Sequence, residues 1–118
     1  MHWRELKVWQ RAHELVLKCY RVTATFPKTE VYALVDQIKR AAYSVPSNIV
    51  EGQSRNTTKE YLSFLYTARG SLEEVRYFLF LGQDLGFVTS ETYRDLENNC
   101  KEVSLMLNAL IKSLKDKL

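Results

Sequence analysis

The stretch that decides the fold runs from Thr57 to Gly86: TTKEYLSFLYTARGSLEEVRYFLFLGQDLG. Its apolar positions recur at alternating steps of three and four: Tyr61, Leu65, Ala68, Leu72, Val75, Leu79, Gly82 and Gly86. Such an alternation is the spacing of a helix packed along a seam. Thr57 followed by Glu60 reads as a capping box at the start of this helix, and Gly86 as its stop. At about 1.5 Å per residue, a helix over 58–85 is a rod roughly 42 Å long. Gly70 sits in its middle, where glycine costs about 1 kcal/mol relative to alanine. The spacing alone offers no return for that cost, so Gly70 predicts the close approach of a neighbouring backbone.

Three more segments carry the same period. The first has the seam Val8, Ala12, Leu15, Cys19, Val22 and Phe26, widened by Trp9, Val16 and Tyr20. Phe26-Pro27 ends it, because a residue before proline avoids the helical region. Thr29 is the expected cap of the second helix, whose seam is Val31, Leu34, Ile38, Ala41, Val45 and Ile49. Pro46 falls inside that pattern, and a proline in a helix interior kinks or stops it. Apolar spacing continues through Ile49 and Val50, so the expectation is a kinked helix ending at Gly52. The fourth seam is Tyr93, Leu96, Cys100, Val103, Leu107, Leu110 and Leu114, capped by Thr89 or Ser90.

Four helices, over about 5–25, 30–52, 58–85 and 90–116, joined by short loops must alternate in direction. The sequence therefore predicts a single all-α domain over residues 1–118, an antiparallel up-and-down four-helix bundle with its second helix kinked at Pro46.

Composition agrees. Only four Gly and two Pro occur among 118 residues, too few for many short strands. Hydrophobic residues at 46% and charged residues at 26% are globular proportions. No apolar run reaches the length of a membrane span, and the N-terminus lacks a signal-peptide pattern. These features read as a cytoplasmic protein with no membrane partner, and Cys19 and Cys100 as reduced thiols. The net charge of +3 is uneven: residues 1–59 carry ten basic and five acidic groups, residues 60–118 seven and nine. A modest positive bias permits a nucleic-acid partner without requiring one.

Two surfaces stand out. The third helix has more apolar residues than one seam uses: Leu62, Phe64, Tyr66, Tyr77, Phe78, Phe80 and Leu81 lie beside it. A helix apolar on every side is buried on every side, and in a small chain the simplest cover is another copy. Leu62, Tyr66, Arg69, Glu73, Arg76, Tyr77 and Phe80 are the expected oligomer interface, set against a thick core with aromatics at its rim. On the first helix Arg4, Lys7, Arg11, Lys18 and Arg21 form a narrow basic stripe with Glu14 the one acid in register. Side chains so spaced could track a phosphate backbone, although a solvated helix face has the same look.

Sites of chemistry are sparse. His2 and His13 lack a carboxylate cluster or cysteine pair around them, so no metal is expected. No glycine-rich phosphate loop is present, and the Glu-x-x-His pairs of di-iron bundles are missing. Cys19 and Cys100 sit on apolar seams as small core residues. Glu73 and Glu74 point about 100° apart and do not form an acid pair; Glu73 lies within reach of Arg69 and Arg76. The expectation is a protein without cofactor or catalytic residues.

The stretch 26–52, FPKTEVYALVDQIKRAAYSVPSNIVEG, adds a resemblance. With Leu6-Lys7-Val8-Trp9-Gln10 and Ala68-Arg69-Gly70-Ser71-Leu72-Glu73-Glu74, it resembles the four-helix-bundle proteins encoded in 23S rRNA intervening sequences. That broad family includes accessory proteins of diversity-generating retroelements. The likeness covers nearly the whole chain and is most specific at Ser44-Val45-Pro46-Ser47-Asn48-Ile49-Val50-Glu51-Gly52. It implies a four-helix protomer, a helix continuing through Pro46, and a homopentameric, barrel-like ring. For the retroelement branch it implies binding to nucleic acid and to a reverse transcriptase through a basic surface.

Within the motif, Gln37, Arg40, Ser44, Asn48 and Glu51 step along one side of the second helix as a polar stripe. Such a stripe could satisfy backbone groups freed by Pro46, above all through Ser44 and Asn48. It could lock subunits together, with Arg40 pairing Glu51 or Glu73, or form a ligand site. The leading functional expectation is a non-catalytic oligomer that binds RNA or DNA through the first-helix stripe. The rivals are a scaffold for a protein partner and, last, an enzyme with a site on the Gln37–Glu51 stripe.

Overall fold

A computed structural model describes residues 2–118. Its four long helices are α1 (Lys7–Thr23), α2 (Leu34–Gln53), α3 (Thr58–Asp84) and α4 (Ser90–Lys115). One short 3-10 turn (Trp3–Glu5) precedes α1 and another (Lys28–Glu30) precedes α2. No strand occurs among the described residues. Each helix packs on its two neighbours, α1 on α2 and α4, α3 on α2 and α4, and the diagonal pairs do not meet. The result is a square bundle 46 Å long.

Cross-helix partners run in opposite directions, as alternating helices require. Between α1 and α4, Arg11 meets Glu102 and Lys18 meets Asp95. Between α2 and α3, Ser44 meets Ser71, and Gly52 lies against Tyr61 and Phe64. Between α3 and α4, Arg69 meets Asn108, Arg76 meets Glu97, and Phe80 meets Tyr93.

The expected seams form one core, with Ala12, Cys19, Ile38, Val45, Ile49, Leu65, Ala68, Leu72, Val75, Leu79, Cys100, Val103 and Leu107 fully buried. Each such Leu or Ile contributes about 1.5–3 kcal/mol relative to its exposed state. The caps of α3 and α4 form as read: Thr57 Oγ1 accepts the Glu60 N–H at 3.1 Å, and Thr89 Oγ1 accepts the Thr92 N–H at 3.1 Å. At the end of α3 the Phe87 N–H reaches the Gly82 carbonyl and the Gly86 N–H the Gln83 carbonyl, both at 2.9 Å. This double closure needs a left-handed residue, which Gly86 supplies with φ +81°.

Several expectations are corrected. The second helix starts at Leu34, not near 30, and Thr29 does not cap it. Ala33, at φ −122° and ψ −105°, breaks the helical phase, so counting back from Leu34 misplaces Val31. Val31 is 46% exposed and lies outside the core. Gly52 does not stop the helix: α2 runs through Pro46 and past Gly52 to Gln53. A Cβ on Gly52 would stand 2.9 Å from the Phe64 Cβ and 3.2 Å from the Tyr61 carbonyl oxygen. The close approach expected at Gly70 is therefore found at Gly52, while at Gly70 a Cβ would meet nothing within 4 Å. In α4 the last core turn uses Ile111, which the seam through Leu110 had passed over.

Candidate functional site

The basic stripe of α1 is largely answered by α4. Arg11 Nε lies 3.1 Å from Glu102 Oε1, and its Nη1 lies 3.1 Å from Glu14 Oε1. Lys18 Nζ is 3.4 Å from Asp95 Oδ2 and donates to Asn99 Oδ1 at 2.8 Å. Arg4 sits with its guanidinium carbon 5.1 Å from the Trp3 ring centre. Lys7 and Arg21 have no ion-pair or hydrogen-bond partner among the described residues. Arg4 thus lies in the 3-10 turn before α1 and not on the helix as expected, and of the four cations that α1 carries, Arg11 and Lys18 zip it to α4.

Among the described residues, cations without a carboxylate partner occur in both halves of the bundle, Arg21, Lys28, Lys39, Arg94 and Lys101 among them at one end, but at the other end they outnumber the acids. The alternating topology brings together the start of α1, the end of α2, the start of α3 and the end of α4. Arg4, Lys7, Lys59, Lys112, Lys115 and Lys117, all from that end, lack a carboxylate partner among the described residues. Dividing each helix at its middle, this half (2–15, 44–71 and 103–118) holds nine Lys or Arg against five Asp or Glu, a balance of +4. The opposite half (16–43 and 72–102) holds eight against nine, a balance of −1. No segment of sequence shows this separation, because it mixes residues from both halves of the chain. Its only signals are the terminal lysines of α4, the loop cation Arg55 and Lys59 in the first turn of α3.

The polar stripe of α2 keeps its face but not its expected pairs. Ser44 Oγ and Ser71 Oγ share a hydrogen bond of 2.8 Å across to α3. Asn48 Nδ2 donates to the Ser44 carbonyl at 2.8 Å and to Ser44 Oγ at 3.0 Å. The acceptor that Pro46 leaves without its N–H is the Ala42 carbonyl, so Asn48 does not replace that bond. It ties Ser44 and Ser71 into a local network. Arg40 pairs with Asp36 at 3.0 Å, not with Glu51 or Glu73, and Glu51 pairs with Arg55 at 3.4 Å. Gln37, Arg40, Ala41, Ser44, Ser71 and Glu74 line a cleft of only about 160 Å³, smaller than the roughly 300–1,000 Å³ of ordinary small-molecule sites.

The third-helix interface set divides in three. Leu62 is only 4% exposed and belongs to the core, not to an outer face; the excess of apolar residues near it serves the packing of α2 on α3. Arg76 bridges to α4: Nε donates to Glu97 Oε1 at 2.8 Å, Nη1 to Glu73 Oε1 at 2.9 Å, and Tyr93 donates to Glu97 Oε2 at 3.2 Å. The hydrogen bond to Glu97 leads the effects that raise the Arg76 pKa. Burial, then Glu97, raises that of Tyr93. Arg69 turns to Asn108 at 3.2 Å and covers the Tyr66 ring, leaving Glu73 to Arg76. What stays outward is Tyr66, Gly70, Glu73, Tyr77 and Phe80, with Tyr77 59% exposed. These five step by four, three, four and three along α3.

A second exposed apolar surface lies on the opposite edge of the square, along α1 and α2. It consists of Leu17, Tyr20 and Tyr43, with Lys39 Nζ 4.8 Å from the Tyr20 ring centre. Cys19 and Cys100 are buried; burial pushes the Cys19 thiol up to about 12 and the Cys100 thiol further still. No group of three or more His, Cys, Asp or Glu placed to hold a metal ion occurs among the described residues. Nor is any helix of the described chain long and apolar enough to cross a membrane.

The fold and these surfaces define an up-and-down helical bundle whose distinguishing features lie on its outside. Residues 4–109 match the model of the 23S rRNA-intervening sequence protein family, and the chain belongs to that family. Among solved structures it is similar to a protein of unknown function from the S23 ribosomal protein family of Bacteroides thetaiotaomicron VPI-5482. The TM-score is 0.80 and the identity 22%, over 89% of this chain and 98% of that one. That likeness shows the fold. No curated protein sequence matches.

Proposed function

We propose that the protein is a non-catalytic, self-assembling bundle that binds RNA or DNA electrostatically, with the cationic end of the bundle as the binding face. The observation that carries this reading is the sorting of charge along the axis. The six unpartnered cations named above come from the start of α1 and the turn before it, the start of α3 and the end of α4 and converge on the half with a balance of +4, whereas the acids of α3 and α4 bring the opposite half to −1. Paired cations keep their counter-charge within the protein, whereas unpaired ones can release condensed counterions from a phosphate backbone.

Self-assembly is supported by two unlike apolar faces on opposite edges. The α3 stripe and the Leu17–Tyr20–Tyr43 patch differ in shape and residue content, so contact between them is head-to-tail. Head-to-tail contacts close into rings when the rotation allows, and five is the copy number that the family resemblance implies. A ring would set the cationic ends of its subunits side by side and multiply their field.

The test is light scattering during gel filtration, with and without a short RNA, followed by binding at increasing salt. The expected result is a complex larger than one chain whose affinity falls with salt. Four phosphate contacts per subunit give a log–log slope of about −3 for a single strand. Absence of binding at low salt would refute the reading. A defined protein partner co-purifying on Tyr66, Tyr77 and Phe80 would replace it with a scaffold role.

A further inference from the structure

Both tryptophans of the chain lie in one ladder of rings at the cationic end, and neither the core nor the apolar faces accounts for the whole of it. His2 and Trp3 have ring centres 4.7 Å apart and planes tilted by 34°, Trp3 meets Trp9 edge-on at 4.7 Å and 60°, and Trp9 and His13 stack at 5.0 Å with planes only 8° from parallel. Trp9 rests partly on the core, whereas His2 and His13, the two ends of the ladder, are exposed. The ladder is also held in place. Gln10 donates to the Arg4 carbonyl at 2.9 Å, tying the first turn back onto α1, and His2 Nδ1 accepts the Arg4 N–H at 3.2 Å. Arg4 covers the Trp3 ring, and Lys7 stands beside the ladder without a partner.

Packing of the protomer explains one rung, Trp9. It does not explain why an imidazole lies flat on the outer side of that indole, or why the preceding turn adds two more rings and a guanidinium. Exposed aromatic rings flanked by positive charge are the arrangement that grips unpaired bases: the π-faces take the bases and the cations the phosphates. A duplex keeps its bases stacked on one another and offers a ladder only its backbone.

Building on the nucleic-acid reading above, we infer that the cationic end is selective for single-stranded nucleic acid, with the ladder His2–Trp3–Trp9–His13 stacking its bases. Selectivity comes from the rings and not from base edges, so sequence preference is weak. The apolar faces proposed for assembly are centred on Gly70 to Phe80 and on Leu17, Tyr20 and Tyr43, toward the other end. The ladder therefore stays open in an assembled ring.

Because both indoles belong to the ladder, intrinsic tryptophan fluorescence reports on this site alone. Full-length protein is titrated at low salt with a labelled oligo(dT) and with a blunt duplex of equal length, following tryptophan emission and label anisotropy together. The single strand is expected to quench the emission and the duplex to leave it nearly unchanged. Trp3→Ala combined with His13→Ala removes two outer rings and leaves Trp9 on the core. It is expected to weaken single-strand binding at least tenfold while leaving the salt slope as it was. Trp3→Phe combined with His13→Ala, which keeps a ring at position 3, is expected to bind more tightly than Trp3→Ala combined with His13→Ala. Circular dichroism of each variant checks that the four helices persist. Salt-sensitive anisotropy without quenching, or a double variant that binds like the parent, overturns the stacking site and leaves the electrostatic reading standing. No change in anisotropy for either nucleic acid at low salt overturns both.

Discussion

Gly70→Ala is predicted to make the isolated subunit more stable and the assembly weaker. Glycine in a helix interior costs about 1 kcal/mol relative to alanine, chiefly because it leaves the unfolded chain freer. That gain is realised only if the added methyl group fits. At Gly70 it would meet nothing within 4 Å, and φ there is not positive. The full gain of about 1 kcal/mol is therefore expected in the monomer, worth about 3–6 °C in Tm for a chain of this size. Gly52→Ala is the internal control, with its Cβ 2.9 Å from the Phe64 Cβ. Overpacking of about 2–3 kcal/mol outweighs the propensity gain there, so this variant should melt below the parent.

The two effects at Gly70 separate by concentration. An assembled protein gains stability by mass action as concentration rises. A close helix–helix contact across Gly70 would lose ground to an added methyl group, and more to leucine. Thermal denaturation at sub-micromolar concentration should show Gly70→Ala above the parent. Light scattering at high concentration should show it less associated, with Gly70→Leu less associated again. Loss of stability in dilute, monomeric Gly70→Ala would refute the reasoning, since it would mean that the glycine serves something inside the bundle. Unchanged assembly in Gly70→Leu would remove Gly70 from the interface.

Other outcomes follow from the same geometry. Leu72→Ala, deep in the shared core, should cost about 2–5 kcal/mol in urea unfolding. Glu97→Gln should cost about 2 kcal/mol, between the values for exposed and buried pairs, because Tyr93 loses its carboxylate partner and Arg76 keeps only the exposed Glu73. Cys19 and Cys100 should resist thiol reagents until the chain unfolds. The Cys19 pKa is raised from 9.0 to about 12, so its contribution to stability is complete below pH 9 and is lost as pH climbs toward 12; Cys19→Ala should flatten that part of the pH profile. Charge reversal of Lys112 and Lys115 should shallow the salt dependence of nucleic-acid binding, whereas reversal of Arg11 and Lys18 should chiefly destabilise the α1–α4 contact.

Seams were legible because helical burial repeats locally: from Leu65 to Gly82 every seam position is buried. Caps at Thr57 and Thr89 were legible for the same reason, since a cap needs only residues three apart. The start of α2 was not, because one non-helical residue, Ala33, shifts the phase and no residue type announces it. The site was harder to read. Spacing put Arg11 and Lys18 on one stripe, but only the tertiary fold reveals that Glu102 and Asp95, 91 and 77 positions away, face them. Gly70 and Gly52 show the same limit, since both read as possible contact points and only coordinates tell which one has a neighbour.

The antiparallel arrangement that conceals the site also produces it. Pairing α1 against α4 in opposite directions sets the acids early in α4 beside the cations late in α1 and leaves the lysines late in α4 beside Arg4 and Lys7. The charge asymmetry between chain halves, +5 against −2, is thereby recast as an asymmetry between ends. Any head-to-tail ring made through opposite edges of the square keeps the bundle axes roughly side by side. Its subunits would then present cationic ends on one face and near-neutral ends on the other, and the proposed binding would gain from assembly without a new contact. Assembly and binding are consequently expected to weaken together when the apolar faces are broken, whereas removal of the terminal lysines should weaken binding and leave the assembly intact.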